Sequence, residues 1–197
     1  MAALVLATSC GPPAAGDPGN VFASDDHPVS TWSFTKPIPV GEEWVALWAS
    51  MRNESNLPVR LRSVRLAAEG FGEVVEIVAI EIAPRTSKGG TVPGGMYSTY
   101  PPAWFEGGRC AIVEPQPVQG HVVPPGGYPR IMLRLRAVKP GPFRISAFVV
   151  SYEQGSFVFE ESLPIRMKGG VSATGDQRFI PEPEERRCLR EGARILH

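Results

Sequence analysis

Alternation over residues 140–167 constrains the fold of this chain more than any other feature. Apolar residues recur at odd positions from Phe143 to Val149, and again at odd positions from Phe157 to Met167. A period of two is typical of strands with one buried face, so the two halves predict a β-hairpin. If both odd sets face one core, the loop has an odd number of residues. Glu153-Gln154-Gly155 meets this requirement, with Gly155 in the left-handed position.

Five further segments show strand patterns separated by turn residues, and they cover residues 31–40, 43–53, 59–66, 74–82 and 131–138. Pro37 and Pro39 remove backbone donors, so the first segment is predicted to be an edge strand. Apolar residues occupy both faces of the second, which predicts that it is covered on both sides. The apolar phase slips within the third, which predicts a bulge near Ser63. The fourth is rich in β-branched residues and predicts a strand, with a helix as the alternative.

Size and turn content predict one all-β domain. Gly and Pro number 21 each in 197 residues, which suits many short strands joined by turns. About seven strands and no long helical period predict a single antiparallel β-sandwich. The predicted organisation has four parts, which are a signal segment 1–10, a flexible tether 11–28, the sandwich 29–170 and a short C-terminal tail 171–197 with a short helix over 184–194.

The charge balance gives no reason to expect a nucleic-acid partner. Lys and Arg number 20, and Asp and Glu number 20. No net charge therefore draws the whole chain to nucleic acid or to an anionic membrane surface. Any partner must be recognised through local features.

The first ten residues are apolar and end in Ala7-Thr8-Ser9-Cys10-Gly11. They resemble the lipobox of bacterial lipoproteins, in which small residues precede a cysteine that becomes the lipid-modified N-terminus. The Pro- and Gly-rich run over residues 11–26 is typical of a tether to a membrane surface. The resemblance implies that Cys10 is lipidated and that the domain lies outside the cytoplasm, anchored to the cell membrane. A ragged apolar N-terminus with an incidental cysteine is the alternative.

Two cysteines remain if Cys10 carries lipid. Cys110 and Cys188 are then a pair in an oxidising compartment, where a disulfide is the expected state. In a cytosolic chain, two free thiols are expected instead.

The order of the elements resembles that of immunoglobulin-like or fibronectin-type sandwiches of bacterial surface proteins. A Pro-Gly turn precedes the arginine-bearing strand of residues 131–138, and a second Pro-Gly corner leads into the hairpin. The Cys-Trp-Cys spacing of antibody-type domains is absent. The resemblance therefore implies architecture alone.

No catalytic or metal-binding pattern stands out in the sequence. The histidines are His27, His121 and His197, and none belongs to a nucleophile elbow, a metal-binding helix or a phosphate loop. The methionines are scattered and do not neighbour histidines, unlike the clustered ligands of a copper site. We therefore expect no enzymatic activity, no cofactor and no metal.

One loop combines aromatic side chains with Gly and Pro. Residues 96–109 (MYSTYPPAWFEGGR) carry Tyr97, Tyr100, Trp104 and Phe105. Aromatic rings on loops of a rigid sandwich commonly bind peptide or sugar, since each offers a large and partly polar surface. These four residues are the candidate ligand site. The alternative is that the rings fold back and cap one end of the core.

Together these features predict an exported, membrane-anchored lipoprotein that acts as a non-catalytic binding or assembly module. Its expected partner is a protein or a glycan at the cell envelope. One alternative is a glycan- or peptide-binding module that uses the aromatic loop, and another is an accessory domain of an enzyme complex.

Overall fold

The computed structural model describes residues 21–23, 31–83, 95–98, 100–106, 109–180 and 183–192. Fifteen strands and one helix lie within these ranges. In chain order they are β1 (Phe22–Ala23), β2 (Thr31–Ser33), β3 (Ile38–Pro39), β4 (Glu43–Ser50), β5 (Arg52–Asn53), β6 (Val59–Glu69), β7 (Val75–Ala83), β8 (Gly95–Tyr97), β9 (Ala103–Glu106), β10 (Arg109–Ile112), β11 (Gln116–Pro117), β12 (Val122–Val123), β13 (Arg130–Ala137), β14 (Gly141–Gln154), β15 (Phe157–Ser172) and α1 (Pro183–Gly192).

Two sheets contain most of these strands. The five-stranded sheet has the order β11-β7-β13-β4-β8, and the six-stranded sheet contains β12, β6, β14, β15 and β2 in that order, with β3 also paired to β15. Strands pair antiparallel throughout the two sheets except at the outer edge of β15, where β2 and β3 pair in parallel. The predicted all-β sandwich is thus confirmed. Its predicted fully antiparallel pairing is wrong at this one edge.

The main hydrophobic core lies between the two sheets. Leu133 and Leu135 of the five-stranded sheet and Phe148 and Tyr152 of the six-stranded sheet belong to one buried cluster. The alternation predicted for residues 131–138 is confirmed, because its odd-numbered residues are all buried. Burial of these faces against each other is the principal stabilisation of a two-layer fold.

The β14–β15 hairpin is confirmed, but its predicted loop is wrong. Gln154 pairs with Phe157, so the loop contains only Gly155 and Ser156 rather than Glu153-Gln154-Gly155. Gly155 has the expected left-handed conformation, with φ of 61°. Two-residue loops are the commonest hairpin connections because their twist matches that of the flanking strands.

A bulge within the hairpin accounts for the difference in register. At the base of the hairpin Ile145 pairs with Met167, so two odd-numbered residues are opposed as predicted, although the predicted loop would have placed Leu163 opposite Ile145; the register then shifts before Ala147. One residue of β14 there opposes two residues of β15, and this switches the inward positions of β14 from odd to even. Phe148 is consequently fully buried, whereas Val149, which was predicted to face the core, is not.

Three other strand predictions are confirmed. The pairing of β14 with β6 shifts next to Ser63, where the bulge was expected. Residues 75–83 form a strand and not a helix. Strand β4 is covered on both sides, because Trp44 lies in the main core and Val45 lies in a separate buried cluster on the opposite face.

The predicted edge strand over residues 31–40 consists of two short pieces, β2 and β3. Both pieces pair only with β15, at the margin of the six-stranded sheet. Pro39 lies in β3, a position that an edge strand tolerates because one side of its backbone needs no ladder bond.

The segment predicted to be a C-terminal tail packs against the sandwich. Strand β15 continues to Ser172, and the ring of Phe179 stacks on Trp44 with 5.4 Å between ring centroids. The backbone N–H of Phe179 donates to the Glu42 carboxylate at 2.8 Å. The predicted helix over 184–194 is observed as α1, which contacts β9 and β10.

A short N-terminal stretch also joins the sandwich. Val21 and Phe22 lie in the range predicted to be tether, yet both side chains are buried. Their backbone N–H groups donate to the carboxylate of Glu161 at 3.0 and 3.2 Å. Phe22 also contacts the ring of Tyr152 edge to face, with 5.1 Å between centroids. The packed part of the chain therefore includes residues well before β2.

Candidate functional site

The aromatic loop lies on the outer face of the five-stranded sheet, which is the face turned away from the main core. Strand β8 positions it by pairing with β4, so that Tyr97 lies opposite Val45. Side chains on this face form a second buried cluster, here called the outer cluster, which contains Val45, Leu47, Ala83, Tyr97, Val113 and Met132.

Tyr97 is a packing residue of the outer cluster. Only 8% of its surface is exposed, and its apolar neighbours come from four separate strands or loops. A ring in this position shields the sheet face from water. Tyr97 thus folds back on the domain, as the predicted alternative expected of the rings, but it covers the outer face of a sheet and not one end of the main core.

Tyr100 differs from Tyr97, because 41% of its surface is exposed. Its hydroxyl group donates to the Glu81 carboxylate, whose oxygens lie at 2.8 and 2.9 Å. The guanidinium carbon of Arg134 lies 4.6 Å from the centre of the ring, within the range of a cation–π contact. Tyr100, Glu81 and Arg134 thus form an ordered, accessible group, here called the Tyr100 platform.

The Tyr100 platform continues into a row of ion pairs along the same face. Arg134 donates to Glu43 at 3.0 Å, and Arg136 lies 3.5 Å from Glu43 and 2.6 Å from Glu76. The hydrogen bond that Arg136 donates to the Glu76 carboxylate raises the pKa of Arg136 above its usual value. Each exposed pair contributes little to stability, but the pairs link Arg134, which lies against the Tyr100 ring, to Arg136 through their shared partner Glu43.

The chemistry of the Tyr100 platform suits binding. Burial raises the pKa of Tyr100, and the hydrogen bond to Glu81 raises it further. The phenol is therefore protonated at neutral pH and acts as a hydrogen-bond donor with an exposed aromatic surface. Such a group can stack on a sugar ring or on a peptide side chain.

Trp104 and Phe105 belong to β9, where they pair with Ala111 and Cys110 of β10. Their side chains lie outside the described part of the structure. Of the four predicted site residues, the structure thus describes the side chains of Tyr97 and Tyr100 only, and it separates these two into a buried and an exposed position.

A disulfide bond fixes the β9–β10 hairpin to α1. It joins Cys110 to Cys188, with 5.0 Å between the Cα atoms, as the cysteine count predicted for an oxidising compartment. Cys188 is fully buried. The helix is therefore attached to the same side of the domain as the aromatic loop.

The described residues show no group of three His, Cys, Asp or Glu side chains that could hold a metal ion. His121 is half-buried, and burial lowers its pKa. Its backbone bonds to Leu61 and Val118 place it in the turn that precedes β12. His27 and His197 lie outside the described residues.

The sequence did not nominate three polar residues that prove important to the arrangement. Glu81 and Arg134 lie in segments that were predicted only to be strands, and nothing local indicated that Tyr100 contacts both of them. Glu161 is a buried carboxylate, and burial raises its pKa despite the hydrogen bonds it accepts. Glu161 is odd-numbered, as are the apolar residues of β15 that face the core, and this was the sequence feature that could have indicated its burial.

Cys10 and most of the predicted tether lie outside the described residues. Within the described ranges, no helix has the length and apolar character needed to cross a membrane.

Comparisons with known proteins give weak structural similarity and no match in sequence. No protein-family model matches the chain, and no curated protein matches it either. Among solved structures, the chain is similar to the ASH / PapD-like domain of human CEP192 (PapD-like domain 7). The TM-score is 0.37 and the identity 11%, over 87% of this chain and 96% of that one.

Proposed function

We propose that this chain is an exported lipoprotein, anchored to the cell membrane through Cys10, whose immunoglobulin-like sandwich is a non-catalytic binding or assembly module. The observation that carries the proposal is the Cys110–Cys188 disulfide. Disulfides persist in oxidising compartments and are rare in the cytosol. A disulfide that attaches the last helix to the fold therefore supports a location outside the cytoplasm.

The proposed lipid anchor rests on the sequence Ala7-Thr8-Ser9-Cys10-Gly11 and can be tested directly. The full gene is expressed in a bacterial host, and the N-terminal peptide is analysed by mass spectrometry after separating membrane from soluble protein. We expect an acylated Cys10 in the membrane fraction, and loss of that fraction in the Cys10→Ser variant. An unmodified N-terminus in soluble protein contradicts the proposal.

A second candidate function is the binding of a glycan or a peptide by the aromatic loop. The observation that favours it is the Tyr100 platform, because an exposed ring held by Arg134 and Glu81 needs no rearrangement to receive a ligand. Pre-organisation of this kind lowers the entropic cost of binding.

Binding to a panel of cell-wall glycans and peptides, measured by calorimetry, tests this candidate. Tyr100→Ala should weaken any binding found by about tenfold or more, as expected for loss of an aromatic anchor. Tyr128→Ala is the matched control, because Tyr128 also lies near an arginine, with the Arg130 guanidinium 5.8 Å from its ring. Equal effects of the two substitutions would exclude the Tyr100 platform as the binding site.

A further inference from the structure

The outer face of the six-stranded sheet carries an excess of positive charge. Six basic residues of β6, β14 and β15 point outward on it, against three acidic ones, although the whole chain is neutral. The basic residues are Arg60, Arg62, Arg65, Arg144, Arg166 and Lys168, and the acidic residues are Glu69, Glu153 and Glu160. This face is here called the basic face.

The half of the basic face near the hairpin tip is partly neutralised. Arg62 lies 3.7 Å from Glu153, and Arg65 forms an ion pair with Glu160. Two of the three acidic residues of the basic face therefore form ion pairs near the hairpin tip.

The other half of the basic face concentrates unpaired cations. Arg144, Arg166 and Lys168 are all exposed, and none of them forms an ion pair with a described residue. Together with Glu69 and Ser146 they line a cleft of about 650 Å³. Three positive side chains therefore meet a single carboxylate there.

Two of these cations face each other across neighbouring strands. Arg144 and Lys168 are directly opposed, and like charges in this position repel, while Glu69 of β6 opposes Arg144 on its other side. An anion that occupies the cleft would remove the repulsion. Arginine and lysine are the usual protein ligands of phosphate groups.

The N-terminal part of the chain joins the domain at Val21, next to Glu161 of β15, and its next described strand, β2, lies beside this cleft. Strand β2 runs parallel to β15, with Thr31 opposite Arg166 and Ser33 opposite Lys168. An extended chain spans at most about 3.5 Å per residue, so Cys10 lies no more than about 40 Å along the chain from Val21. A lipid on Cys10 would keep the basic face close to the membrane surface.

We propose that the basic face docks on the anionic phospholipid headgroups of the membrane that holds the Cys10 anchor, with the cleft as its main contact. This inference rests on the proposed function, because the Cys10 lipid anchor is what holds the domain next to the membrane. The face is an open sheet surface with its cations spread over three neighbouring strands, which suits a planar array of phosphates. Each basic residue near such a surface strengthens binding by about fivefold.

Vesicle sedimentation tests the proposal with the full-length chain, made without lipid by the Cys10→Ser substitution. Vesicles of phosphatidylcholine alone are compared with vesicles that also contain phosphatidylglycerol. We expect binding only to the anionic vesicles, and weaker binding at high salt because salt screens exposed charges. Equal binding to neutral vesicles, or none to anionic ones, overturns the proposal.

Substitutions then locate the contact. Replacing Arg144, Arg166 and Lys168 by Gln should weaken binding to anionic vesicles by about 100-fold, at fivefold for each charge removed. The melting temperature should change little, because the substitutions remove both the like-charge pair Arg144–Lys168 and the opposite-charge pair Arg144–Glu69. If the triple variant does not fold, Arg166→Gln alone should still weaken binding by about fivefold.

A charge-matched control separates the face from net charge. Lys139, Arg186 and Arg190 are exposed and lie outside the basic face, so changing all three to Gln removes the same charge elsewhere. We expect this control to bind much more tightly than the basic-face variant. Equal losses in the two variants overturn the proposal, and so does stronger binding to soluble polyglutamate than to anionic vesicles, since that would identify an acidic protein as the partner.

Failure of membrane docking by the basic face can be distinguished from failure of the lipoprotein proposal, because the two are measured separately. Acylation of Cys10 is measured by mass spectrometry of the wild-type protein, and vesicle binding is measured with the unlipidated variant. An acylated protein whose basic face does not bind anionic vesicles removes this inference and leaves the lipoprotein proposal intact.

Discussion

The two tyrosines of the aromatic loop should differ sharply in their contributions to stability. Tyr97→Ala removes a ring that is 8% exposed and packs in the outer cluster beside Val45, Leu47 and Met132. Truncation of a buried aromatic residue costs about 3–5 kcal/mol, because the lost burial is joined by a cavity that closes only partly. We expect Tyr97→Ala to fall within this range.

Tyr100→Ala should cost much less. Its ring is 41% exposed, and it loses a cation–π contact with Arg134 and a hydrogen bond to Glu81 that are both accessible to water. Contacts of this kind at exposed sites contribute about 1 kcal/mol in total. The two substitutions should therefore differ by at least about 2 kcal/mol.

Urea unfolding followed by circular dichroism measures both values. A change in midpoint with an unchanged slope shows that stability, rather than the compactness of either state, has changed. Tyr97→Phe is the matched control, since it keeps the ring and should cost about 1 kcal/mol. The reasoning is refuted if Tyr97→Ala lies within about 0.5 kcal/mol of wild type, or if Tyr100→Ala costs as much as Tyr97→Ala.

Three further substitutions test other parts of the fold. Cys188→Ser should lower the free energy of unfolding by about 4 kcal/mol, because the Cys110–Cys188 bond closes a loop across 78 positions; a reductant should have the same effect on wild type in urea titrations, and an unchanged midpoint would contradict it. Gly169→Ala should cost about 1–3 kcal/mol by overpacking, since a Cβ there would lie 2.6 Å from the Phe143 ring; the neighbouring Gly170→Ala, whose nearest atom is 3.8 Å away, should be nearly neutral in the same assay. Burial raises the pKa of Glu161 above 4.5, so the folded state holds this proton more tightly than the unfolded chain, and the resulting contribution to stability is fully present below pH 4.5 and is lost as pH rises through the raised pKa. The difference in unfolding free energy between wild type and Glu161→Gln should therefore move in favour of wild type as pH is lowered from neutral to 4.5, and a pH-independent difference would contradict this account.

Much of the sheet structure could be predicted because alternation records which side of a strand is buried. The β13 strand and the bulge at Ser63 follow from positions of apolar residues within a few residues of each other. The bulge before Ala147 was missed because Phe143, Ile145 and Val149 are all apolar and odd-numbered. They suggest that odd-numbered residues face the core along the whole strand, although even-numbered residues do so from Phe148 onward. The adjacent apolar pair Ala147-Phe148 was the local sign of a change of face.

The candidate site was less predictable, because its geometry depends on contacts between distant segments. Tyr97 and Tyr100 are three residues apart in a loop with no period, so no pattern distinguishes the buried ring from the exposed one. The partners of Tyr100 come from β7 and β13, which are separate in sequence and adjacent only in the sheet. The alternation of β15 indicated that Glu161 faces inward, but its hydrogen-bond partners Val21 and Phe22 are distant in sequence and could not be predicted.

The docking of the N-terminal residues on β15 has a consequence for biosynthesis. The bond from Val21 to Glu161 spans 140 positions, and β2 and β3 also need the last strand as their template. Contacts of such long range form late, since the chain between them must first be ordered. During synthesis or passage through a membrane, the segment that contains β2 and β3 therefore stays unpaired until β15 has emerged, whereas Phe22 and Ala23 have β5 as an earlier partner. Chains that stop before β15 should accordingly leave this N-terminal segment open to proteases, while complete chains protect it as soon as the final hairpin closes.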